Sequence, residues 1–459
     1  LRQEVTAPEV APTPVRMRME SQQTTNQEMT PIDENRRWNL VVLALIVVLP
    51  FVVQAVYFDG GFYYDDDFHL DQCRLIDQGE ISLSDYVTLP HGEHLIPIWK
   101  LMFYGCWSLF GPNSGGFHVF MSAFHVASAM CLWALLRVYV SHRAAAVAAV
   151  LWAGAAVGGW DGPFLWIAAS HLAVGVTFFL GAMLCLTRFC EEDNDRWAVL
   201  MSAALLTALL TMHALIVLTP VLLLQYVLFE RTVGDKWINE ERSKVIRWGA
   251  AFVVPCLMVT VLHFIWVSPA IDKRDRPPVN ILAGLQMLGG GYAASSWNLV
   301  FWKGSAVLWG RIAGAAILAA LVLRTGRNAQ KLGLLFFSLS FCFSVLAYMA
   351  RSGWDVDHVL VWGRYRYLPT LFWVVLLGTV LDRGLAQISM QRPQLAKFVP
   401  AGLLLLFVVA QCRIAAESAN VFRQLSAESK HAVAPSENTQ AAAIDIDRSA
   451  AFRIQSASL

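Results

Sequence analysis

The chain has 459 residues, of which 56% are hydrophobic and 15% charged, with 35 Lys and Arg against 34 Asp and Glu. A soluble domain of this size carries about 25% charged residues, so there is too little polar surface here for a water-soluble globule, and lipid must solvate much of the chain. A net charge of +1 is uninformative about partners, and no basic domain suggests a nucleic-acid partner.

The chain opens on Leu1 rather than Met, as a fragment or a mis-set start would. Residues 1–37 are polar, carry four prolines and show no apolar periodicity, so they are expected to be disordered. They do not resemble a cleavable signal, because the first apolar run, 38–57, is long enough to span a bilayer and lacks a small-residue cleavage site. Further spans are expected at 116–138, 144–159, 164–187, 197–211, 214–229, 247–267, 304–323, 331–350, 366–382 and 397–413. His213 and Pro220 divide the long stretch 197–229 into a helical hairpin. The eight cysteines form no CxxC pair, and seventeen tryptophans suit a protein with two membrane interfaces.

Positive charge sets the orientation. Arg16, Arg18, Arg36 and Arg37 place the N-terminus in the cytoplasm, and Arg137 and Arg143 mark the next cytoplasmic turn. For that parity to hold, 95–110, which contains Lys100, must lie along the outer face rather than cross. The same argument lays 282–302 on the outer face and keeps Arg324, Arg327 and Lys331 inside. The expected fold is therefore all-α: a polytopic membrane helix bundle of about eleven spans with amphipathic helices in the first outer loop. Its divisions are a cytoplasmic segment 1–37, a membrane domain 38–413 with its first outer loop at 58–115, and an outer tail 414–459 with a helical look over 414–430.

Three outer segments, 58–94, 268–281 and 351–365, are rich in polar residues and are where function is expected. The first begins Tyr64-Asp65-Asp66-Asp67. Adjacent carboxylates repel one another and raise at least one pKa, which suits a general base or, with oxygen ligands, a divalent-cation site; a solvated acidic turn is the plain alternative. Next comes His91-Gly92-Glu93-His94. Two histidines three apart would suit a metal on a helix, but Pro90 and Gly92 oppose one, which favours substrate hydrogen bonding or simple loop polarity. The loop 268–281 carries Asp272-Lys273-Arg274-Asp275-Arg276, either an anion site or a set of mutually neutralised charges. The third segment crowds Arg351, Asp355, Asp357, His358, Arg364 and Arg366 around two span ends. Arginine forks suit a phosphate, and an internal Asp–Arg pairing is the alternative. His171 follows Trp166 and Ser170 at the outer end of a span, and His213 sits at the hairpin bend, where packing is the default role.

In order along the chain, YDDDFHLDQCRLID, HGEHLIPIWKLMFYGCWSLFGPN, LWIAASHLAVG and GRYRYLP resemble the motif series of the GT-C class of integral-membrane glycosyltransferases, in particular its protein O-mannosyltransferase-like branch and bacterial relatives. The resemblance runs over roughly 38–412 and is thin between 230 and 340. Ser170-His171 departs from the arginine or aspartate that relatives place there. The resemblance implies a sugar donor on polyprenyl phosphate, inversion at the anomeric carbon, and an acceptor hydroxyl on a protein, glycan or lipid, at the outer face of a bacterial cytoplasmic membrane. Carried over, Asp65 or Asp66 is the base. Asp67, His91, Glu93, His94 and His171 contact substrate, as do Arg351, Arg364, Tyr365 and Arg366, with the arginines on the lipid phosphate. No resident metal is implied, although a divalent cation at the acidic loop is compatible with it. A transporter or a non-catalytic sugar-lipid binder is the alternative; a transporter normally shows internal repeats with broken midplane helices, and none is evident.

Overall fold

A computed structural model describes residues 32–59, 61–62, 65–91, 94–155, 166–230, 242–267, 280–286, 288–289, 321, 324, 326–350 and 363–432. Residues 1–42 and 43–459 form two units, and the account below concerns the second. Apart from one isolated bridge, regular structure among the described residues is helical. Seven helices are long and apolar enough to cross a membrane: Arg37–Tyr57, Ser114–Tyr139, Ile167–Glu192, Ile246–Val267, Arg327–Tyr348, Tyr367–Gln391 and Phe398–Val421. Each coincides with an expected span. The expected span 304–323 lies outside the described residues except for Leu321, as do most of 268–281 and 282–302.

After α1 (Ile32–Gln54) the chain forms three short helices, α2 (Asp65–Asp77), α3 (Leu83–Thr88) and α4 (Pro97–Phe110). The three aspartates open α2, where carboxylates complement the unsatisfied N–H groups and the positive end of the helix dipole. Ser82 and Asp85 close a capping box that starts α3. Proline at the first turn of α4 is compatible with its start, and Gly111 ends it in the left-handed region (φ 56). The Asn113 side chain then caps α5 (Ser114–Tyr139) by accepting from Gly115 N.

α6 (His142–Ala153), capped by Ser141, is a run of alanines and only about 18 Å long. Its small residues let α12 (Tyr367–Gln391) approach closely: a β-carbon placed on Gly378 would stand 2.7 Å from Ala148 Cβ. α7 (His171–Glu192) packs on α5 and on α8 (Asp195–Thr211), and α8 packs on α10 (Arg242–Leu262). At the opposite end from α2, Arg247 ties α10 to the α7–α8 turn through Asp193 at 3.0 Å and through Asp195.

The hairpin expected over 197–229 is present in altered form. Beyond α8, the return limb is a 3₁₀ turn (His213–Leu218), α9 (Thr219–Gln225) and a π-turn (Tyr226–Glu230). Pro220 stands in the first turn of α9, where its missing N–H costs nothing. α11 (Arg327–Ala350) packs on α12. α13 (Pro393–Ala432) continues from the last span through 414–432, so the beginning of the expected tail is an extension of that helix.

Candidate active site

α2, α3, α4 and the turn between α3 and α4 gather at the N-terminal end of α7. The tripeptide Asp65-Asp66-Asp67 is divided by the helix it starts. Asp66 is fully buried, and its Oδ1 accepts the backbone N–H of Ala168 at 2.5 Å. This links α2 to the 3₁₀ turn Ile167–Ser170 that precedes α7. Asp67 is exposed. Asp65 is intermediate, its side chain 29% exposed, with Oδ2 3.6 Å from His91 Nε2.

His91 and His94 close a tight turn through two backbone bonds, His91 N to His94 O at 3.1 Å and His94 N to His91 O at 2.9 Å. The helical alternative for this segment is thereby ruled out. The turn directs one histidine to each side. The His91 ring lies 4.8 Å from that of His69, and the His94 ring lies 5.9 Å from His171 and 5.6 Å from His213.

Sequence reasoning passed over His69, although it is four residues from Asp65 on α2 and so shares that helix face. His69 is fully buried among Trp99, Phe103 and His91, and its Nδ1 is 3.0 Å from Tyr86 Oη. Burial, reinforced by His91, Lys100 and His171, holds its pKa well below the ordinary histidine value, so the ring is neutral. Tyr86 is also fully buried, and its hydroxyl pKa is raised by that burial.

Lys100, read from the sequence only as a sign that 95–110 stays out of the bilayer, is fully buried on α4. Its ammonium donates to Tyr86 O at 2.8 Å and to Leu89 O, above the Tyr86 ring. Burial lowers its pKa to about 8. It closes the C-terminal end of α3 against α4, because unsatisfied carbonyls at a helix end favour a cation. Trp99, one residue earlier, donates from Nε1 to Ser170 Oγ at 2.9 Å and so joins α4 to the turn before α7.

Two more histidines enter from other elements. His213 receives the Leu95 N–H on Nδ1 at 3.1 Å and donates its own backbone N–H to Leu95 O at 3.3 Å. His263, in the π-turn His263–Val267 that ends α10, stacks on His213 at 4.5 Å. Neither its stacking nor the link through Leu95 has a sequence-local signal. His171 donates from Nδ1 to Ala168 O at 2.6 Å.

Of the other expected residues, Tyr365 is buried with its ring 5.9 Å from Tyr348, and Arg366 closes the 3₁₀ turn Gly363–Arg366 that leads into α12. Glu93, Arg351 and the side chain of Arg364 lie outside the described residues, as do Asp355, Asp357 and His358. Among the described residues, no group of three or more His, Cys, Asp or Glu is arranged to hold a metal ion, and one carboxylate of the acidic tripeptide, Asp66, is turned into the protein.

The fold and site together define an all-α integral membrane protein with a cluster of histidines and carboxylates at the N-terminal end of α7. The fold is similar to that of ArnT from Cupriavidus metallidurans bound to undecaprenyl phosphate, with a TM-score of 0.49 and 14% identity over 86% of this chain and 80% of that one. The apo form of the same protein gives 0.48 and 15% over 87% and 80%. The apo oligosaccharyltransferase of Archaeoglobus fulgidus gives 0.44 and 13% over 88% of this chain and 59% of that one, so this chain spans less than two thirds of its length. The likeness is one of helical membrane fold alone. No family model matches the chain, and no curated protein matches it.

Proposed function

We propose that this protein is an inverting glycosyltransferase that moves a sugar from a polyprenyl-phosphate donor to an acceptor hydroxyl at the outer face of a bacterial cytoplasmic membrane. The observation that carries the reading is the partition of the acidic motif. Asp66 is occupied by the fold, whereas Asp65 is partly exposed and stands beside His91, which suits it better than Asp66 to meet a substrate. Motif order along the chain supports the reaction class, and the partition favours Asp65 over Asp66 as the base.

In this reading Asp65 accepts the proton of the acceptor hydroxyl as its oxygen attacks the anomeric carbon. The bond from that carbon to the phosphate oxygen breaks, and its electron pair leaves on the phosphate. Arg364, with Arg366 and Arg351, stabilises that charge, as planar guanidinium forks suit a phosphate. Asp67, His91, Glu93, His94, His171 and Tyr365 line the substrates. Positioning on a membrane bundle suits a donor whose tail is lipid.

The test is sugar transfer by the full chain in nanodiscs, supplied with undecaprenyl phosphate carrying radiolabelled glucose, galactose, mannose or N-acetylglucosamine and a native membrane extract as acceptor. Transfer or release of label from at least one donor supports the reading. Binding of these lipids without turnover would instead make the protein a sugar-lipid binder.

A further inference from the structure

The turn that carries His91 lies between α3 and α4, and side chains that the proposed chemistry leaves unused anchor it at both ends. At its entry, the buried Lys100 ammonium donates to Leu89 O and, at 2.8 Å, to Tyr86 O. Leu89 ends α3, so Lys100 reaches back from α4 across the whole connection. At its exit, Leu95 is held twice by one residue. Its N–H donates to His213 Nδ1 at 3.1 Å, and its carbonyl accepts the His213 N–H at 3.3 Å. A backbone N–H only donates, so His213 Nδ1 must present its lone pair. Between these anchors the two His91–His94 backbone bonds close the turn.

The turn also rests on a floor. The Tyr86 hydroxyl meets His69 Nδ1 at 3.0 Å, and the His69 ring stands 4.8 Å from that of His91. A connection between two short helices has many conformations open to it, and each bond that fixes it removes some of them. The anchoring side-chain bonds are buried or half-buried, where water competes poorly for their donors.

We infer that Lys100 and His213 are positioning residues for the base, fixing the turn so that His91 Nε2 stands 3.6 Å from Asp65 Oδ2. Neither contacts the reacting atoms in this role; both act through His91 on Asp65. Placement of this kind has a large effect on rate, because a shift of about 1 Å in a catalytic group costs about 10²-fold. The inference rests on the transferase reading above and adds what holds its base in place.

Asparagine separates the bond from the bulk of the ring at His213. Its Oδ1 falls near Nδ1 and accepts the Leu95 N–H, whereas leucine leaves that N–H without its acceptor. The experiment measures sugar transfer by the full chain in nanodiscs from the four labelled donors named above, with kcat corrected for folded fraction and donor KM determined in parallel. His213→Leu and Lys100→Met are each expected to lower kcat by about ten- to a hundredfold, with donor KM within about threefold of wild type. His213→Asn is expected to recover most of the His213→Leu loss. Loosening of the fold alone would lower kcat whatever residue stands at 65, so both substitutions are repeated in an Asp65→Asn background. There the further loss is expected to shrink to about twofold or less, because residues that act as a unit are not additive. Lys100→Met decides the matter should His213→Leu fail to fold. Wild-type kcat in the folded variants, a His213→Asn no better than His213→Leu, or an undiminished loss beside Asp65→Asn overturns the inference and leaves the transferase reading standing. Absence of transfer by wild type from all four donors removes that reading, and the positioning role with it.

Discussion

The Asp66 carboxylate accepts the backbone N–H of Ala168 at 2.5 Å, across a separation of 102 residues, and both groups are buried. An acidic residue at the opening of α2 thereby positions the turn that starts α7. Charge-assisted bonds of this kind contribute more than neutral ones, and deleting one partner leaves the other desolvated without compensation. Asp66→Ala is expected to destabilise the protein by about 1–3 kcal/mol. Asp66→Asn, which keeps an accepting oxygen, is expected to cost less. Denaturation of both variants in detergent checks this, and equal stability of Asp66→Ala and wild type would contradict it.

His69 makes the protein acid-sensitive. Its folded pKa lies well below the unfolded value of 6.5. Below pH 6.5 the unfolded chain takes up a proton that the folded chain refuses, so stability falls as pH falls through that value. His69→Phe removes this linkage, at the expense of the bond to Tyr86. Its thermal midpoint should decline less steeply than that of wild type between pH 6.5 and pH 5, and parallel declines would contradict the assignment.

Lys100 has a signature of the same sign in a more alkaline window. Its pKa falls from 10.5 unfolded to about 8 folded. Between those values the unfolded chain holds more protons than the folded one, so stability rises with pH across that window. The gain from this residue is about 2 kcal/mol by pH 10. Measured against Lys100→Met, wild type should therefore gain stability from pH 8 to pH 10. A constant difference between the two proteins would show that the ammonium is not buried as described.

Much of this was legible in the sequence, for identifiable reasons. Hydropathy located the seven described spans because each helix must hide its backbone from lipid. That His91 and His94 do not belong to a helix was anticipated from Pro90 and Gly92. The roles of neighbouring aspartates were not legible. Asp65 and Asp66 are equivalent in a string, and only the 100° step of the helix turns one toward Ala168 and the other toward His91. Nor could local pattern reveal that His213 and His263 meet, since tertiary packing alone joins the start of the hairpin's return limb to the end of α10.

Close packing of α6 on α12 supplies a further test. A β-carbon at Gly378 would lie 2.7–3.0 Å from Ala148 atoms that include backbone, so the two helices must separate to admit a side chain. Gly378→Val is expected to destabilise by about 1–3 kcal/mol through overpacking. Ala148→Gly in the same chain should recover part of the loss, and full stability of Gly378→Val alone would contradict the contact.

The most direct measurement of the central claim compares Asp65→Asn with Asp66→Asn in transfer from a sugar-bearing undecaprenyl phosphate, with each variant's folded fraction and donor affinity determined in parallel. Asp65→Asn is expected to lower turnover by about 10²–10⁴-fold while thermal stability and donor binding stay near wild type. Asp66→Asn is expected to lose activity only in proportion to its loss of folded protein. Wild-type turnover in folded Asp65→Asn would contradict the account.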